Sequence, residues 1–442
     1  MNILLCSTGI NALGETFTLA LFAQELEEQG HKCFFIAPKL GKRYLITFGF
    51  KDDDILVLTN AGQRDKSFDP KINKLLLEQF EKQINPNYIL VADWHHYREN
   101  GISNNNTYSI NWFDKNTPMG TFDHVGFAPD GKVVKQDQIS NVAIQRDFQE
   151  KEFPPLQERF SFIIRPCPHH NNTMVNQKSV YYWGIYKKKI NKNISKKKTI
   201  HEKFNISSKS KIVFQPVGLW QERVIDKVFE EINIKHNYYD ETLFPIILNY
   251  LLYLNIDITY IVISGKLKKE EVRQCGNVKF IKVPPLNHNE FMNLLMTSDL
   301  FITDNLMSSN LGKAVFGNVL SLVFKNSLQP ENSEKLKSEF QVSKFIDDKI
   351  SFLLSNNLMF PYRSFPIGLN ELEDMYERNL FKDCFIETEI FNETYNNKLF
   401  IELLLKNEIS NRIKKNQNNY IANNSNLYSA ERILKLNKIS PK

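Results

Sequence analysis

Residues 298–324 read SDLFITDNLMSSNLGKAVFGNVLSLVF, and the order of their patterns decides the fold class. Asp299 to Thr303 is a short apolar run, Asp304 to Ser309 a polar turn, Ser309 to Phe316 a helix of small residues, and Val319 to Phe324 a second apolar run. Strand, polar turn, helix, strand is the unit from which parallel sheets are built. A helix that begins in the turn after a strand points unpaired backbone N–H groups and its positive dipole end at the sheet's carboxyl edge. A diphosphate fits there. Asn310, Gly312 and Ala314 keep the first turns slim, so a ligand or the sheet can approach the backbone. Taken alone, the same turn also reads as a plain helix cap.

The pattern extends outward from this unit. Lys211 to Gln215 reads as a strand opening onto Pro216-Val217-Gly218-Leu219-Trp220, and Glu241 to Asn255 as a helix. Thr259 to Ser264 is a strand ending at Gly265. Val278 to Val283 is another, ending in Pro284-Pro285, and Asn287 or Asn289 caps a helix over Glu290 to Thr297. The N-terminal half repeats the arrangement. Asn2 to Cys6 is a strand, Ser7 to Glu15 a glycine-bearing turn, Thr16 to Gln29 an amphipathic helix ended by Gly30, and His31 to Ala37 the next strand. Ile55 to Leu58 is a strand, Lys71 to Gln83 a helix, and Tyr88 to Ala92 a strand that empties into Asp93-Trp94-His95-His96-Tyr97. Ser161 to Ile164 is a further strand, followed by Arg165.

The expected architecture is therefore α/β, with two Rossmann-like doubly wound parallel-sheet domains over residues 1–185 and 209–365. A basic linker, 186–208, contains KKKINKNISKKK (187–198). A helical C-terminal segment, 366–442, ends in a poorly patterned tail beyond Lys415. The length of 442 residues suits two domains. No repeat at solenoid period appears.

Composition narrows the function. The net charge of +6 with 24% charged residues of both signs is compatible with anionic ligands, and no nucleic-acid-binding signature accompanies it. Five cysteines (Cys6, Cys33, Cys167, Cys275, Cys384) are scattered and lack metal-ligand spacing, which predicts a reducing, cytoplasmic setting with Cys6 and Cys33 in the core. No basic region precedes the first apolar run, so no signal peptide is expected. The longest apolar window, Phe244 to Ile263, contains Asn249, Asn255 and Asp257 and switches from helix-like to strand-like. It predicts a buried helix and strand in a soluble protein with at most peripheral membrane contact. His169 and His170 stand beside Cys167, but adjacent histidines do not readily chelate one ion, and no metal site is expected. The first turn is not a GxGxxG fingerprint, and no acidic residue follows Ile36-Ala37-Pro38, which disfavours nicotinamide or flavin chemistry.

Candidates for proton transfer are Glu15 in the first turn, Asp93 and His95 at a strand end, and Asp123 and His124 in the aromatic stretch SINWFDKNTPMGTFDHVGFA (109–128). That stretch reads either as a pocket wall or as a surface loop with buried aromatics. A carboxylate paired with a histidine is the pattern to seek.

Two stretches resemble the GT-B glycosyltransferases. NILLCSTGINALGETFTLALFAQELEEQGHKCFFIAP (2–38) is similar to that superfamily's first strand, acceptor-side loop and helix. VKFIKVPPLNHNEFMNLLMTSDLFITDNLMSSNLGKAVFGNVLSLVF (278–324) is similar to its donor-binding region. The histidine-glycine-glycine turn of many members is Asp304-Asn305-Leu306 here, and the acidic residue often found further along the donor helix is missing, with Lys313 nearby. The resemblance implies two domains facing a cleft. It also implies a hexosyltransferase-type reaction from a nucleoside-diphosphate sugar, UDP- or dTDP-linked, to a small-molecule, peptide or glycan acceptor. Inversion without a metal or other cofactor is expected, since Asp52-Asp53-Asp54 precedes a strand and reads as exposed.

Residue by residue, the resemblance places Asp304, Ser308, Ser309 and Asn310 at the diphosphate. Gly218 and Gly265 become strand-end glycines beside the nucleotide, Pro285 and Leu286 part of the segment reading the base, and Lys313 or Lys266 a phosphate counter-charge. Gly9, Asn11 and Gly14 join Glu15 in the acceptor-side loop. The alternatives are a non-hydrolysing nucleotide-sugar 2-epimerase and a catalytically silent member acting as a binding or partner subunit.

Overall fold

The computed structural model describes residues 1–7, 13–59, 69–103, 107–139, 146–168, 170, 179–186, 190, 194–356, 358–359, 379–424 and 426–437. The chain forms two compact units, one of residues 1–134, 151–187 and 424–442, the other of 135–150 and 188–423.

In the first unit, runs such as ILLC, CFFI and YILV are apolar at nearly every position, as strands covered on both faces must be. They become β1 (Asn2–Cys6), β2 (Lys32–Ile36) and β4 (Tyr88–Val91), joined by β3 (Ile55–Leu56), β5 (Met119–Phe122), β8 (Phe162–Cys167) and β9 (Val180–Gly184). Their order is β3-β2-β1-β4-β5-β8-β9, with every neighbouring pair parallel. β6 (Lys132–Ile139) and β7 (Arg146–Phe153) form a separate two-stranded sheet, most of which, residues 135–150, is assigned to the second unit. Helices α1 (Gly14–Glu28), α2 (Lys39–Thr47) and α3 (Pro70–Ile84) connect the strands. α3 starts where Asp69 accepts from Lys71 N with Pro70 in the first turn, and ends where Asn85 turns left-handed at φ 46°. Phe22 of α1 meets Phe122 and Trp183 edge-on, with centroids 5.3 and 5.0 Å apart, which ties the helix to the sheet.

The second unit repeats this winding. β10 (Lys211–Pro216), β11 (Ile258–Ile263), β13 (Val278–Val283), β14 (Leu300–Thr303), β15 (Ser321–Lys325) and β16 (Ile386–Glu389) are parallel, in the order β13-β11-β10-β14-β15-β16. An antiparallel strand, β12 (Glu271–Cys275), is added at the β13 edge. The helices are α4 (Ile194–Lys203), α5 (Leu219–Glu231), α6 (Phe244–Leu252), α7 (His288–Thr297), α8 (Ser309–Phe316), α9 (Ser333–Phe340), α10 (Lys344–Ser355), α11 (Glu393–Leu404) and α12 (Glu408–Asn424). In each unit the winding direction reverses beside the first strand, between β1 and β4 and between β10 and β14. Such switch points open a crevice at the carboxyl ends of the strands.

Three expected boundaries move. The basic linker is not all linker, because α4 lies within it and Ile200, Phe204 and Ile206 are buried. The second domain does not stop at 365, since β16 completes its sheet and Leu399, Phe400, Leu403 and Leu404 of α11 enter its core. The expected C-terminal segment is divided. Its last helix, α13 (Ala430–Leu436), belongs to the first unit, where Ala430, Ile433 and Leu434 are fully buried. There Tyr88 Oη donates to Leu434 O at 2.9 Å, and Ala430 N donates to Glu25 Oε1 at 2.9 Å. The aromatic stretch 109–128 also contains a strand, β5, that was expected as loop.

Candidate active site

At the switch point of the first unit, three turns deliver polar side chains to one place. The turn after β1 leads to Ser7, whose Oγ lies 3.0 Å from Thr16 Oγ1. Gly9 and Asn11 lie outside the described residues, and Gly14 opens α1 with nothing within 4 Å of where a Cβ would stand. Glu15 and Thr18 follow on the first turns of α1.

After β4, Asp93 is extended and the chain closes one 3₁₀ turn over Trp94–His96. Trp94 is buried, and its Nε1 donates to Asp123 Oδ1 at 3.2 Å, so the indole pins the turn. The neighbouring histidines are thereby presented at the sheet edge. After β5, Asp123 is fully buried and accepts from Gly126 N (2.8 Å), Ala128 N (3.2 Å) and Arg165 Nε (3.3 Å). Arg165 also donates to Gly126 O and Ala128 O at 3.2 and 2.7 Å. Asp123, one of the proton-transfer candidates, is thus fully buried among partners within the loop that carries His124.

The remaining candidates converge. Asp93 lies between two imidazoles: its Oδ1 is 2.9 Å from His95 Nδ1 and its Oδ2 is 2.9 Å from His124 Nδ1. His124 Nε2 is 3.2 Å from Thr18 Oγ1. Glu15 Oε1 is 3.2 Å from His96 Nδ1, and the His95 and His96 rings are 4.3 Å apart. Burial alone would push Asp93 up, but the two imidazoles outweigh it and hold the carboxyl well below the usual range. Glu15 follows the same logic, with burial opposed and overcome by His96. Burial pulls His124 down, and Asp93 more than reverses this, so its protonated form is favoured. Asp123 is pushed up by burial, which Arg165 only partly offsets.

An aspartate that accepts from Nδ1 of an imidazole fixes its orientation and leaves Nε2 to exchange protons. Sequence reading did not single out Thr18, Trp94, His96 or Arg165. For Trp94 and His96 the signal available was their position after a strand end, whereas Thr18 lies within α1 and Arg165 within β8.

At the second switch point, Gly218 N donates to Gln221 Oε1 at 3.2 Å, and Gln221 Nε2 donates to Asp304 Oδ1 at 3.4 Å. Tyr239 Oη donates to Asp304 Oδ2 at 3.0 Å. Burial pushes Asp304 up to about 6, against the pull of these hydrogen bonds. Ser308 caps α8 by accepting from Asn310 N at 3.3 Å, and Asn310 Oδ1 accepts from Lys313 Nζ at 3.1 Å. Lys313 is buried over the Phe291 ring and is pushed down to about 8 by burial. Burial and the Lys313 charge push His288 down to about 4.

Asp304, Ser308, Ser309, Asn310 and Lys313 thus share one turn and helix start. Pro285 is exposed and Leu286 half-buried, just ahead of the Asn287 cap of α7. Lys266 pairs with Asp226. At Gly265 a Cβ would stand 2.5 Å from Leu219 Cβ and 2.8 Å from Leu219 Cα, so the start of α5 explains this glycine. Gln221 and Tyr239, which hold Asp304, escaped the sequence reading. Among the described residues, no three His, Cys, Asp or Glu side chains group as metal ligands.

The chain resembles solved structures over nearly its whole length. One is the spinosyn forosaminyltransferase SpnP, 11% identical, with TM-score 0.52 and coverage of 99% of this chain and 98% of that one. Another is a protein assigned as a UDP-N-acetylglucosamine 2-epimerase from Listeria monocytogenes, 11% identical, with TM-score 0.50 and coverage of 98% and 94%. At this identity the likeness establishes the fold, which is GT-B. Comparison with curated protein sequences gives no match. A family profile matches residues 22–436, a span that includes Asp93, His95, His124 and the whole second switch point, and the chain belongs to that family, described as "Family of unknown function (DUF6365)".

Proposed function

We propose that this protein is an inverting, metal-independent glycosyltransferase that moves a sugar from a UDP- or dTDP-linked donor to a small-molecule, peptide or glycan acceptor. The observation that carries the reading is Asp93 held between His95 and His124 at the carboxyl edge of the first sheet. An inverting transfer needs one group to take the acceptor's proton and another to stabilise the departing nucleoside diphosphate. His124, oriented through Nδ1 by Asp93, takes the proton at Nε2. The start of α8, with Ser308, Ser309 and Asn310, supplies N–H and hydroxyl donors to the diphosphate. SpnP, by its name a glycosyl-type transferase, has the same fold.

A second reading has its own observation. The Glu15–His96 pair beside the Asp93 group brings two carboxylates and three imidazoles together, and an epimerase needs several acid and base groups around the sugar. Such an enzyme would consume the nucleotide sugar with no acceptor present.

The test is a thermal-shift panel of UDP, GDP, dTDP, CMP and their sugar conjugates, with and without Mg²⁺. A ligand at a hundred times its dissociation constant adds about 2.7 kcal/mol to the folded state. One base should stand out without Mg²⁺, and Ser309→Trp with Asn310→Trp should abolish the shift. Donor conversion without acceptor selects the epimerase, and a flat panel on folded protein refutes both readings.

A further inference from the structure

The second unit has a cavity of about 280 Å³ at the amino edge of its sheet, opposite the edge that carries Gly218 and Asp304. It is bounded by Lys211 at the first residue of β10, by Ser298 and Asp299 just ahead of β14, by Lys197 of α4, by Lys406 between α11 and α12, and by Ser410 and Lys414 of α12. Four of its lining residues are lysines and one is acidic. That acid, Asp299, is engaged by the strand end: its Oδ2 accepts from Ile212 N at 2.8 Å, and its Oδ1 is 3.7 Å from Lys211 Nζ. Lys406 pairs with Glu402, which is not part of the lining. Lys197 and Lys414 are exposed at the rim, and among the described residues neither has an ion-pair partner.

Ser410 is a separate observation. It is only 8% exposed, lines the cavity from the first turn of α12, and its hydroxyl has no hydrogen-bond partner among the described residues. Its helix begins at Glu408, and Asn407 just ahead of that start also lines the cavity, while Glu408 itself is exposed and outside the lining. Leu320 and Leu403, both buried, form part of the floor. Ammonium groups without ion-pair partners and the Ser410 hydroxyl select an anion rich in acceptor oxygens, and Asn318 Oδ1, a buried acceptor without a partner in the same lining, adds a place for a hydroxyl or protonated oxygen of that anion. The volume lies just under the roughly 300–1,000 Å³ of sites for drug-sized ligands, so the occupant is smaller than a nucleotide sugar.

We propose that this cavity binds a small phosphate-bearing anion, of sugar-phosphate or pyrophosphate size, at a site separate from the donor site. The same chemistry is presented by a free metabolite or by the headgroup of a phosphate monoester lipid.

The experiment is position-resolved lysine acylation read by mass spectrometry on the full chain. The probes are pyrophosphate, glucose 1-phosphate, and vesicles of phosphatidylcholine with or without phosphatidic acid. Acylation of Lys197 and Lys414 is expected to fall about threefold or more with an occupying anion, and the protection to weaken as salt rises. Lys198 and Lys269, equally exposed but outside the lining, serve as references. Protection by the soluble anions supports a metabolite ligand, and protection by phosphatidic acid vesicles alone supports the lipid source. In Lys197→Glu/Lys414→Glu, protection of Lys211 and Lys406 should disappear while the melting temperature is kept. Protection that survives Ser309→Trp separates this cavity from the donor site. Unchanged acylation with every probe, or protection that vanishes with Ser309→Trp, overturns the proposal.

Discussion

Replacing Asp93 with Asn is the most informative single change, because one atom pair supports two histidines. The residue is 4% exposed, and its carboxylate lies 2.9 Å from both imidazole Nδ1 atoms. Removing one partner of a buried ion pair costs about 3–5 kcal/mol. Asparagine keeps the volume and one acceptor oxygen, so the lower end, about 3 kcal/mol, is expected. The pH dependence follows from the shifts. Asp93 is held below its unfolded value, so its contribution is present above about pH 4 and is lost only as pH falls through the lower folded value. His124 is raised, so its contribution is complete below about pH 6.5 and is lost as pH rises through the higher folded value. The stability gap between wild type and variant, from urea unfolding, should therefore be widest between about pH 4 and 6.5 and narrow at alkaline pH. If His124 is the base, turnover should rise with pH through its raised value. In the variant the rate should fall about 10²–10⁴-fold and the rising limb move to lower pH. A gap that is flat from weakly acid to alkaline pH, or a variant with wild-type turnover, would refute the reasoning.

Other changes test other parts. Asp304 is raised to about 6, so wild type should lose about 2–3 kcal/mol from this group between pH 4 and 8. Asp304→Asn should gain that much relative to wild type over the same range, read by chemical unfolding at the two pH values. Gly265→Ala places a Cβ against the Leu219 backbone, and a loss of about 1–3 kcal/mol is expected, with no loss if α5 shifts freely. Arg165→Met leaves buried Asp123 without its cation, and a melting-temperature drop equivalent to about 3–5 kcal/mol is expected. Adding Asp123→Asn should restore part of it.

Elements with near-continuous apolar runs were legible from the sequence, because burial on both faces leaves few other ways to write such a strand. β1, β11, β13 and α8 fall where their patterns place them. β16 was hidden because three of the four residues of IETE are polar, and β12 because an exposed edge strand such as EVRQC needs no apolar face. α5 was missed behind its glycine-bearing entry, and β5 inside a stretch dominated by aromatic loop residues.

The candidate site divides in the same way. Asp93, His95 and His124 were visible because they follow strands, and strand ends are where chemistry collects in this architecture. What no local pattern could supply was the pairing. His96 meets Glu15 only because parallel pairing of β1 with β4 brings both ends to one edge. Asp123 also follows a strand, and only the structure shows that its carboxylate is held by Trp94, Gly126, Ala128 and Arg165.

The return of α13 to the first unit bears on how the chain is made. The sheet that carries Asp93 and His124 lacks part of its core until Ala430, Ile433 and Leu434 have been synthesised. At about 5–20 residues per second, the intervening second unit of roughly 240 residues takes about 12–50 s to translate. Over that interval the second unit, whose own core is contiguous in the chain apart from residues 135–150, can fold on the ribosome, while the first waits open at its α13 face. A fragment ending near residue 187 would keep that face open permanently. A fusion placed after α13 would instead burden the last piece of the first unit to arrive.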